Sequence, residues 1–447
     1  MNTRECCTTY MNDSVMMFLG SLILAYSVEQ SGLHKRLAYF SIQLIGYSHL
    51  KLLLAMCCVT TFASMWITNT AATTMMVPIN FALLKVFEDQ KVIKIHDRNS
   101  DGDLIASDTT TCYFCAATFS ATVGGIGTLV GTGTNLVFKG LFMQTYQEAP
   151  EYLSFPKFSF FAVPYMIVLE IFVYLYMVIK YFGFLRQGSE AAKRSQIPLT
   201  AQNAAKAAIA ADVKKRGAIS IWEGMVCILF GGAMVSFFCR SPQLFVGWGD
   251  IIIGYFGIPD PKLEDLPNGK TKSVLDWKLL NSQMPFAFSF LLGGGFALSN
   301  AAKTSGLNAK LGESMQILKP LPNPMVLFII VVVVVLVTNF TSNVAVCNVF
   351  SPIAMQLAKE INQNPLWYCI TSGFSASFCF MVPVGTPGNL IIQSAAKIPT
   401  SKIILAGSGP TLSTMLITWV CMNVWAPVVW PDLKEMPDWI AAANKQQ

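Results

Sequence analysis

Two short polar strings stand inside long apolar stretches of this 447-residue chain: Ile67-Thr68-Asn69-Thr70 and Thr341-Ser342-Asn343-Val344. An asparagine is costly in such surroundings, so the pair marks where chemistry should be sought. Each is followed by a proline–isoleucine pair, Pro78-Ile79 and Pro352-Ile353, and the separation is 274 residues in both cases (69 to 343, 78 to 352). The same offset carries Ser31-Gly32-Leu33 onto Ser305-Gly306-Leu307. A second pair of strings is rich in glycine: Gly131-Thr132-Gly133-Thr134-Asn135-Leu136, matched at an offset of 254 by Gly385-Thr386-Pro387-Gly388-Asn389-Leu390 (131 to 385). Hydroxyls, side-chain amides and bare backbone supply hard oxygen ligands for a cation such as Na⁺ and N–H donors for an anion. Taken singly, Thr, Asn and Gly in membrane helices are packing glue. Two motif types repeated in register argue instead for an internal duplication whose polar tips form a site.

The elements that must position these strings are membrane spans. The chain is 53% hydrophobic and only 13% charged, with a mean hydropathy of +0.50; a soluble protein carries about 25% charge. This points to an integral multi-pass membrane protein, expected in the plasma membrane. The net charge of +6 is mild and gives no case for a nucleic-acid partner. Residues 186–216 hold seven Lys/Arg (Arg186, Lys193, Arg194, Lys206, Lys214, Lys215, Arg216) against Glu190 and Asp212, which predicts a cytoplasmic loop. The stretch 239–282 holds five basic and five acidic residues and suits the outer side.

The first apolar segment is expected at 15–28. The next apolar stretch, 50–66, is interrupted at the first tip and resumes over 71–86, and neither arm reaches the roughly 20 residues of a comfortable span. Two short arms around a polar tip predict a re-entrant hairpin, with its tip buried in protein or facing water. A polar loop is expected at 85–108. The segment from Cys112 to Phe142 contains Gly124, Gly125, Gly127, Gly131 and Gly133 near its centre. With each glycine costing about 1 kcal/mol relative to alanine, it predicts a half-helix, an unwound stretch and a restart near Asn135. Clean spans are expected at 158–182 and 219–238, with a helical centre in the basic loop between them. The pattern then repeats: a span at 286–301, hairpin arms at 325–339 and 345–357, a broken helix over 372–392 and a last span at 403–427. Trp419, Trp425 and Trp430 suggest an aromatic collar at the interface.

The domain organisation follows. A first repeat covers 1–147, with its hairpin at about 50–86 and its broken helix at about 112–146. Scaffold spans cover 148–283, including the basic cytoplasmic loop 183–217 and an extracellular excursion 239–282. A second repeat covers 284–427, with its hairpin at about 323–358, its broken helix at about 367–398 and the last span. A tail covers 428–447. Unwound backbone at membrane depth exposes carbonyls, and each restarting helix presents N–H groups and the positive end of its dipole. Four such ends would converge on a site able to hold a polyvalent carboxylate.

Other signals are weaker. Most of the twelve cysteines sit in apolar context and read as small buried hydrophobes, including the Cys112-x-x-Cys115 pair, which lacks a second pair. Asn12-Asp13-Ser14 and Asn339-Phe340-Thr341 spell glycosylation sites, and neither is expected to be used. His34, His49 and His96 lie at segment ends or in a loop, which argues against a histidine proton relay. Trp66 reads as an aromatic packer. Hydrophobicity begins at Met16 after a polar start, so no cleavable signal peptide is expected. No HExxH, GxSxG or P-loop pattern occurs in a fitting context, and no residues support a membrane enzyme. A carrier, an ion channel and a membrane-anchored sensor remain as function classes.

These residues, from about 13 to 439, resemble the divalent anion/sodium symporter family in its animal di- and tricarboxylate branch, which includes the insect INDY-type citrate transporters. The resemblance is carried by Phe18-Leu19-Gly20, Leu33-His34-Lys35-Arg36, Met65-Trp66-Ile67-Thr68-Asn69-Thr70, Gly131-Thr132-Gly133-Thr134-Asn135, Thr341-Ser342-Asn343-Val344 and Val382-Pro383-Val384-Gly385-Thr386-Pro387-Gly388-Asn389. It implies an all-α polytopic fold of two inverted repeats. It also implies a homodimer working by an elevator motion, in which a transport domain moves citrate and dicarboxylates such as succinate past a scaffold. Sulfate is the competing substrate. Substrate carboxylates would fall to Thr68, Asn69, Thr70, Ser342, Asn343 and Val344, with Gly133, Thr134, Asn135, Thr386, Pro387 and Asn389 beside them. No cofactor is implied beyond Na⁺ as a coupling ion, held by Asn69 and Asn343 with Val123, Gly127, Thr132, Ala376, Gly385 and Thr386.

Departures from the family pattern carry expectations too. Thr68 replaces the usual Ser, Val344 replaces Thr, and Gly385-Thr386-Pro387-Gly388 replaces Ala-Thr-Pro-Pro. Lys139 sits one turn after Asn135 where relatives are apolar. Its ammonium could substitute for Na⁺, giving sodium-independent transport or exchange, or it could snorkel to the interface. The resemblance also implies two further scaffold spans ahead of Phe18, where this sequence has seventeen residues.

Overall fold

The computed structural model describes residues 13–98, 102–146, 149–184, 197–240 and 319–437, with isolated positions outside these runs. The first half is built from α1 (Asp13–Ser31), α2 (Leu33–Ile45), α3 (His49–Ser64) and α4 (Asn69–Asp89), a two-stranded hairpin of β1 (His96–Arg98) and β2 (Leu104–Ala106), then α5 (Asp108–Gly124) and α6 (Gly133–Thr145). Three helices lie between the halves: α7 (Phe155–Phe182), α8 (Leu199–Arg216) and α9 (Ile221–Cys239). The second half comprises α10 (Asn323–Thr338), α11 (Asn343–Glu360), α12 (Pro365–Ser375), a 3₁₀ turn (Pro383–Gly385), α13 (Pro387–Ala396) and α14 (Thr400–Val424), closed by α15 (Ala426–Val429). Most of the span expected at 286–301 and of the excursion 239–282, and the end of the tail, fall outside the described residues.

Among the described residues, four helices are long and apolar enough to cross a membrane: Asn69–Asp89, Phe155–Phe182, Ile221–Cys239 and the run Thr400–Val429. The chain is a multi-pass membrane protein, and the helix of the basic loop is α8. Three readings are corrected. Residues 85–108 are not a plain loop: α4 continues to Asp89, and β1 and β2 pair antiparallel with His96 opposite Ala106. Gly102, at a φ of 85°, supplies the left-handed turn between the strands. The second arm of the first hairpin, α4, is 21 residues long and so exceeds the expected short arm. Trp430 is no collar residue: it is 1% exposed, and its indole N–H donates to the Tyr152 carbonyl at 2.9 Å.

Tight packing holds the two halves together. α13, from the second half, seats against α4 and α5 of the first, and α6 packs on α11 and α12. Phe374 lies at the centre of an aromatic cluster, with ring centroids 5.4 Å from those of Phe138, Phe158 and Phe161. Gly373 lets the Phe138 ring close in, since a Cβ there would stand 2.2 Å from it. Cys57, Cys112, Cys115, Cys347, Cys369 and Cys379 are buried free thiols, as small hydrophobes should be. Cys58 and Cys227 are exposed instead, on the outer faces of α3 and α9.

Arg36 clamps the turn between α8 and α9. Its Nε meets Glu223 Oε1 at 2.8 Å, and its terminal nitrogens donate to the Gly217 and Ala218 carbonyls at 2.9 and 3.0 Å. Glu223 also closes a capping box with Ser220 at the start of α9. The clamp is partly exposed, so about 1 kcal/mol is expected from it. Arg36→Ala is expected to lower the Tm of the purified protein by a few degrees, and Arg36→Lys to restore only part of that. An unchanged Tm in the alanine variant would remove the clamp from this account.

Candidate functional site

Each tip begins as a helix that ends among hydroxyls. α3 stops at Ser64, and α4 restarts at Asn69 with Thr68 as its cap, the Thr68 hydroxyl accepting from the Ala71 N–H at 3.3 Å. In the second half α10 stops at Thr338, and α11 restarts at Asn343 behind Ser342. The hydroxyl preceding each asparagine by five residues then does the same thing twice. Ser64 Oγ lies 2.8 Å from Asn69 Oδ1 and 2.6 Å from the Ala121 carbonyl. Thr338 Oγ1 lies 2.8 Å from Asn343 Oδ1 and 2.7 Å from the Ala376 carbonyl. One hydroxyl proton thus faces two acceptors at each tip. Three oxygens sharing one proton are a cluster in deficit of positive charge, which a hard cation fills.

The breaks are stitched by a common device. Asn135 Nδ2 donates to the Gly125 and Thr128 carbonyls at 3.1 and 2.7 Å, ten and seven residues back. Asn389 Nδ2 donates to the Cys379 and Val382 carbonyls at 3.4 and 3.3 Å, again ten and seven residues back. These amides satisfy carbonyls that unwinding has orphaned. Both asparagines, expected beside the substrate, are fully buried and stand behind the cavity wall with their amides turned onto the breaks. Thr134 is likewise behind the wall, its hydroxyl 2.6 Å from that of Ser377.

Close approach at the breaks depends on glycine. A Cβ on Gly125 would lie 2.3 Å from Asn69 Oδ1, and one on Gly385 would lie 2.2 Å from Cys379 Sγ and 2.9 Å from the Thr338 carbonyl. The departure to Gly385 is therefore matched to its surroundings, because an alanine does not fit there without movement.

The tips and breaks enclose a cavity of about 510 Å³. Its wall holds Thr68, Asn69, Thr70, Thr132 and Gly133 from the first half, and Ser342, Asn343, Val344, Gly385, Thr386 and Pro387 from the second. The amino ends of α4, α6, α11 and α13 all open onto it. The remaining sequence candidates stand behind or beside it. Val123 is fully buried, Gly127 abuts Met65 and Met166, and Ala376 offers its carbonyl to Thr338. Lys139 does not line the cavity; its ammonium is 3.1 Å from Glu151 Oε1, and the side chain is 9% exposed. Trp66 is edge-on to Phe62 and Phe230, a packer as expected.

Sequence reasoning missed Ser64 and Thr338, although a signal was present: they obey the 274-residue offset (64 to 338). It also missed Ala25, Tyr26 and Glu29 of α1, which close the cavity from one side and belong to no repeated motif. Two buried acceptors, Asn135 Oδ1 and Thr386 Oγ1, lack a hydrogen-bond partner among the described residues. They are oxygens in the two breaks that a cation could take.

The chain is similar to known proteins over nearly its whole length. A model of the sodium:sulfate symporter transmembrane region matches residues 1–431. The protein "I'm not dead yet" of Drosophila melanogaster is 33% identical over 475 residues, covering 98% of this chain and 80% of that relative. The Na⁺/dicarboxylate cotransporter 3 of Mus musculus is 29% identical, covering 97% of this chain and 83% of the relative. The Na⁺/citrate cotransporter of Rattus norvegicus is 28% identical, covering 98% and 86%.

Proposed function

Since the chain belongs to the sodium:sulfate symporter family, we propose that it is a secondary active transporter of citrate and of dicarboxylates such as succinate in the plasma membrane. One observation carries the reading: four helix amino ends and two hydroxyl-and-amide tips face a single cavity of about 510 Å³. Each helix end is equivalent to roughly half a positive charge, so the four together match a dianion without a fixed cation that would hold it too tightly to release. The volume also favours an organic acid over an ion of sulfate size.

Na⁺ is the coupling ion in this reading. The oxygen clusters at Ser64–Asn69–Ala121 and Thr338–Asn343–Ala376, each with one proton for two acceptors, support it. Engagement of Lys139 by Glu151 supports Na⁺ over an ammonium substitute. The broken helices are joined across the halves by Thr134 with Ser377 and by Thr118 with Asn389, which favours the two halves of the site moving as one transport domain in an elevator cycle. The scaffold of a homodimer is assigned to the remaining spans. There α9 turns out Ile221, Ile228, Leu229 and Val235, an apolar face for lipid or a second copy.

Radiolabelled citrate uptake into proteoliposomes, with and without Na⁺ and with succinate or sulfate as competitors, tests this. Saturable Na⁺-dependent uptake, competed by succinate and accelerated by citrate on the far side, is the expected result. Absence of trans-stimulation would indicate a channel, and stronger competition by sulfate an inorganic-anion carrier. Lys139→Leu is expected to leave the Na⁺ dependence in place. Na⁺-independent uptake that disappears in this variant would instead assign the cation role to Lys139.

A further inference from the structure

Among the described residues, the wall of the cavity carries one charged side chain, and its sign opposes the cargo. Glu29 lies two residues from the end of α1, exposed to the cavity beside Tyr26 and Ala25. No salt bridge reaches it among the described residues. The elements packed against α1 bring the following charged groups. From α2, Lys35 is the cation whose charge acts on Glu29. From α6, Lys139 is held by Glu151; from α9, Glu223 is held by Arg36. Tyr26 shares its helix, and the tip and break elements contribute no titratable side chain to the wall.

We propose that Glu29 is a charge filter, a specificity-determining residue that makes the cavity prefer dianionic carboxylates to trianions. The inference rests on the carboxylate reading above. The four helix ends supply the equivalent of about two positive charges. Whatever charge bound Na⁺ adds, each further negative charge on the cargo is repelled by the Glu29 carboxylate on the same wall, so fully ionised citrate is disfavoured more than a dianion. Succinate and singly protonated citrate therefore bind in preference. Glu29 neither binds nor orients the cargo by contact; it acts on the cost of the extra charge.

The test measures KM and kcat for radiolabelled citrate and succinate in proteoliposomes at mildly acidic and mildly alkaline pH. The wild-type protein is compared with Glu29→Gln and Glu29→Asp. In the wild type, KM for total citrate is expected to fall on acidification while KM for succinate stays nearly constant. In Glu29→Gln, KM for citrate at alkaline pH is expected to drop about three- to tenfold and the pH dependence to flatten, with kcat and succinate KM retained. Glu29→Asp, which keeps the charge, is expected to keep the wild-type profile. A Gln variant with an unaltered citrate pH profile overturns the filter. So does a wild-type KM for citrate that rises on acidification, a result that needs no variant to fold. A wild-type protein that moves neither acid would overturn the carboxylate reading itself.

Discussion

Gly125→Ala is expected to reduce citrate uptake at least a hundredfold while the protein still reaches the membrane. The added Cβ would stand 2.3 Å from Asn69 Oδ1 and 3.1 Å from both Cγ and Nδ2 of the same side chain. Asn69 cannot step aside freely, because its Oδ1 is held 2.8 Å from Ser64 Oγ. Nor can the backbone of the break retreat, since the Gly125 carbonyl accepts from Asn135. Overpacking of this kind costs about 1–3 kcal/mol, and loss of the amide contact costs a similar amount again. Both penalties fall on the tip rather than on the core that keeps the protein folded. Gly224→Ala is the control, since nothing lies within 4 Å of a Cβ at that position of α9. Initial rates normalised to surface protein decide the matter. Uptake by Gly125→Ala within a few-fold of wild type would show that the close approach at the first tip is not functional.

The second large effect is expected from Asn343→Ala. Its amide makes two contacts, with Oδ1 2.8 Å from Thr338 Oγ1 and Nδ2 donating to the Ser377 carbonyl at 3.2 Å. Truncation removes one corner of the oxygen cluster and leaves a break carbonyl unpaired, about 3 kcal/mol in all, or roughly a hundredfold in apparent affinity. The second tip has little in reserve: Asn69 is flanked by Thr68 and Thr70, whereas Asn343 has Ser342 on one side and Val344 on the other. Half-saturation by Na⁺ and by citrate should both rise in Asn343→Ala. Asn343→Asp separates the two roles, because a carboxylate still ligates a cation but repels an anion. Recovery of the Na⁺ response without the citrate response is the expected pattern. Wild-type half-saturation for both ligands in Asn343→Ala would remove the second tip from the site.

Much of the candidate site was legible because polar residues are rare in a membrane span and here the same strings recur at fixed spacing. Asn69 and Asn343 announced themselves in that way, and so did the glycine-rich breaks around Gly131 and Gly385. Roles within a motif were harder to read. Asn135 and Asn389 carry the same donor and acceptor groups as the tip asparagines, but their amides turn back onto carbonyls ten and seven residues earlier. Side-chain direction at a helix restart depends on the path of the unwound strand, which no spacing rule encodes. Lys139 presents the same difficulty. Its position one turn after Asn135 suggested a cation near the site, and the side chain runs instead to Glu151.

From composition and periodicity alone came the membrane, the two hairpin tips, the two interruptions and their pairing by offset, because each rests on local chemistry: apolar length, helix-breaking glycine and the cost of a buried amide. Tertiary structure decided which oxygens meet. Ser64 and Thr338 gained their place only when α3 packed on α5, and α10 on α12, bringing the Ala121 and Ala376 carbonyls within reach. It also set Glu29 on the cavity wall, since α1 shares no motif with the tips and meets them only in the folded chain. Charge balance at a site sums over every element that faces it, and that sum exists only once the elements are assembled.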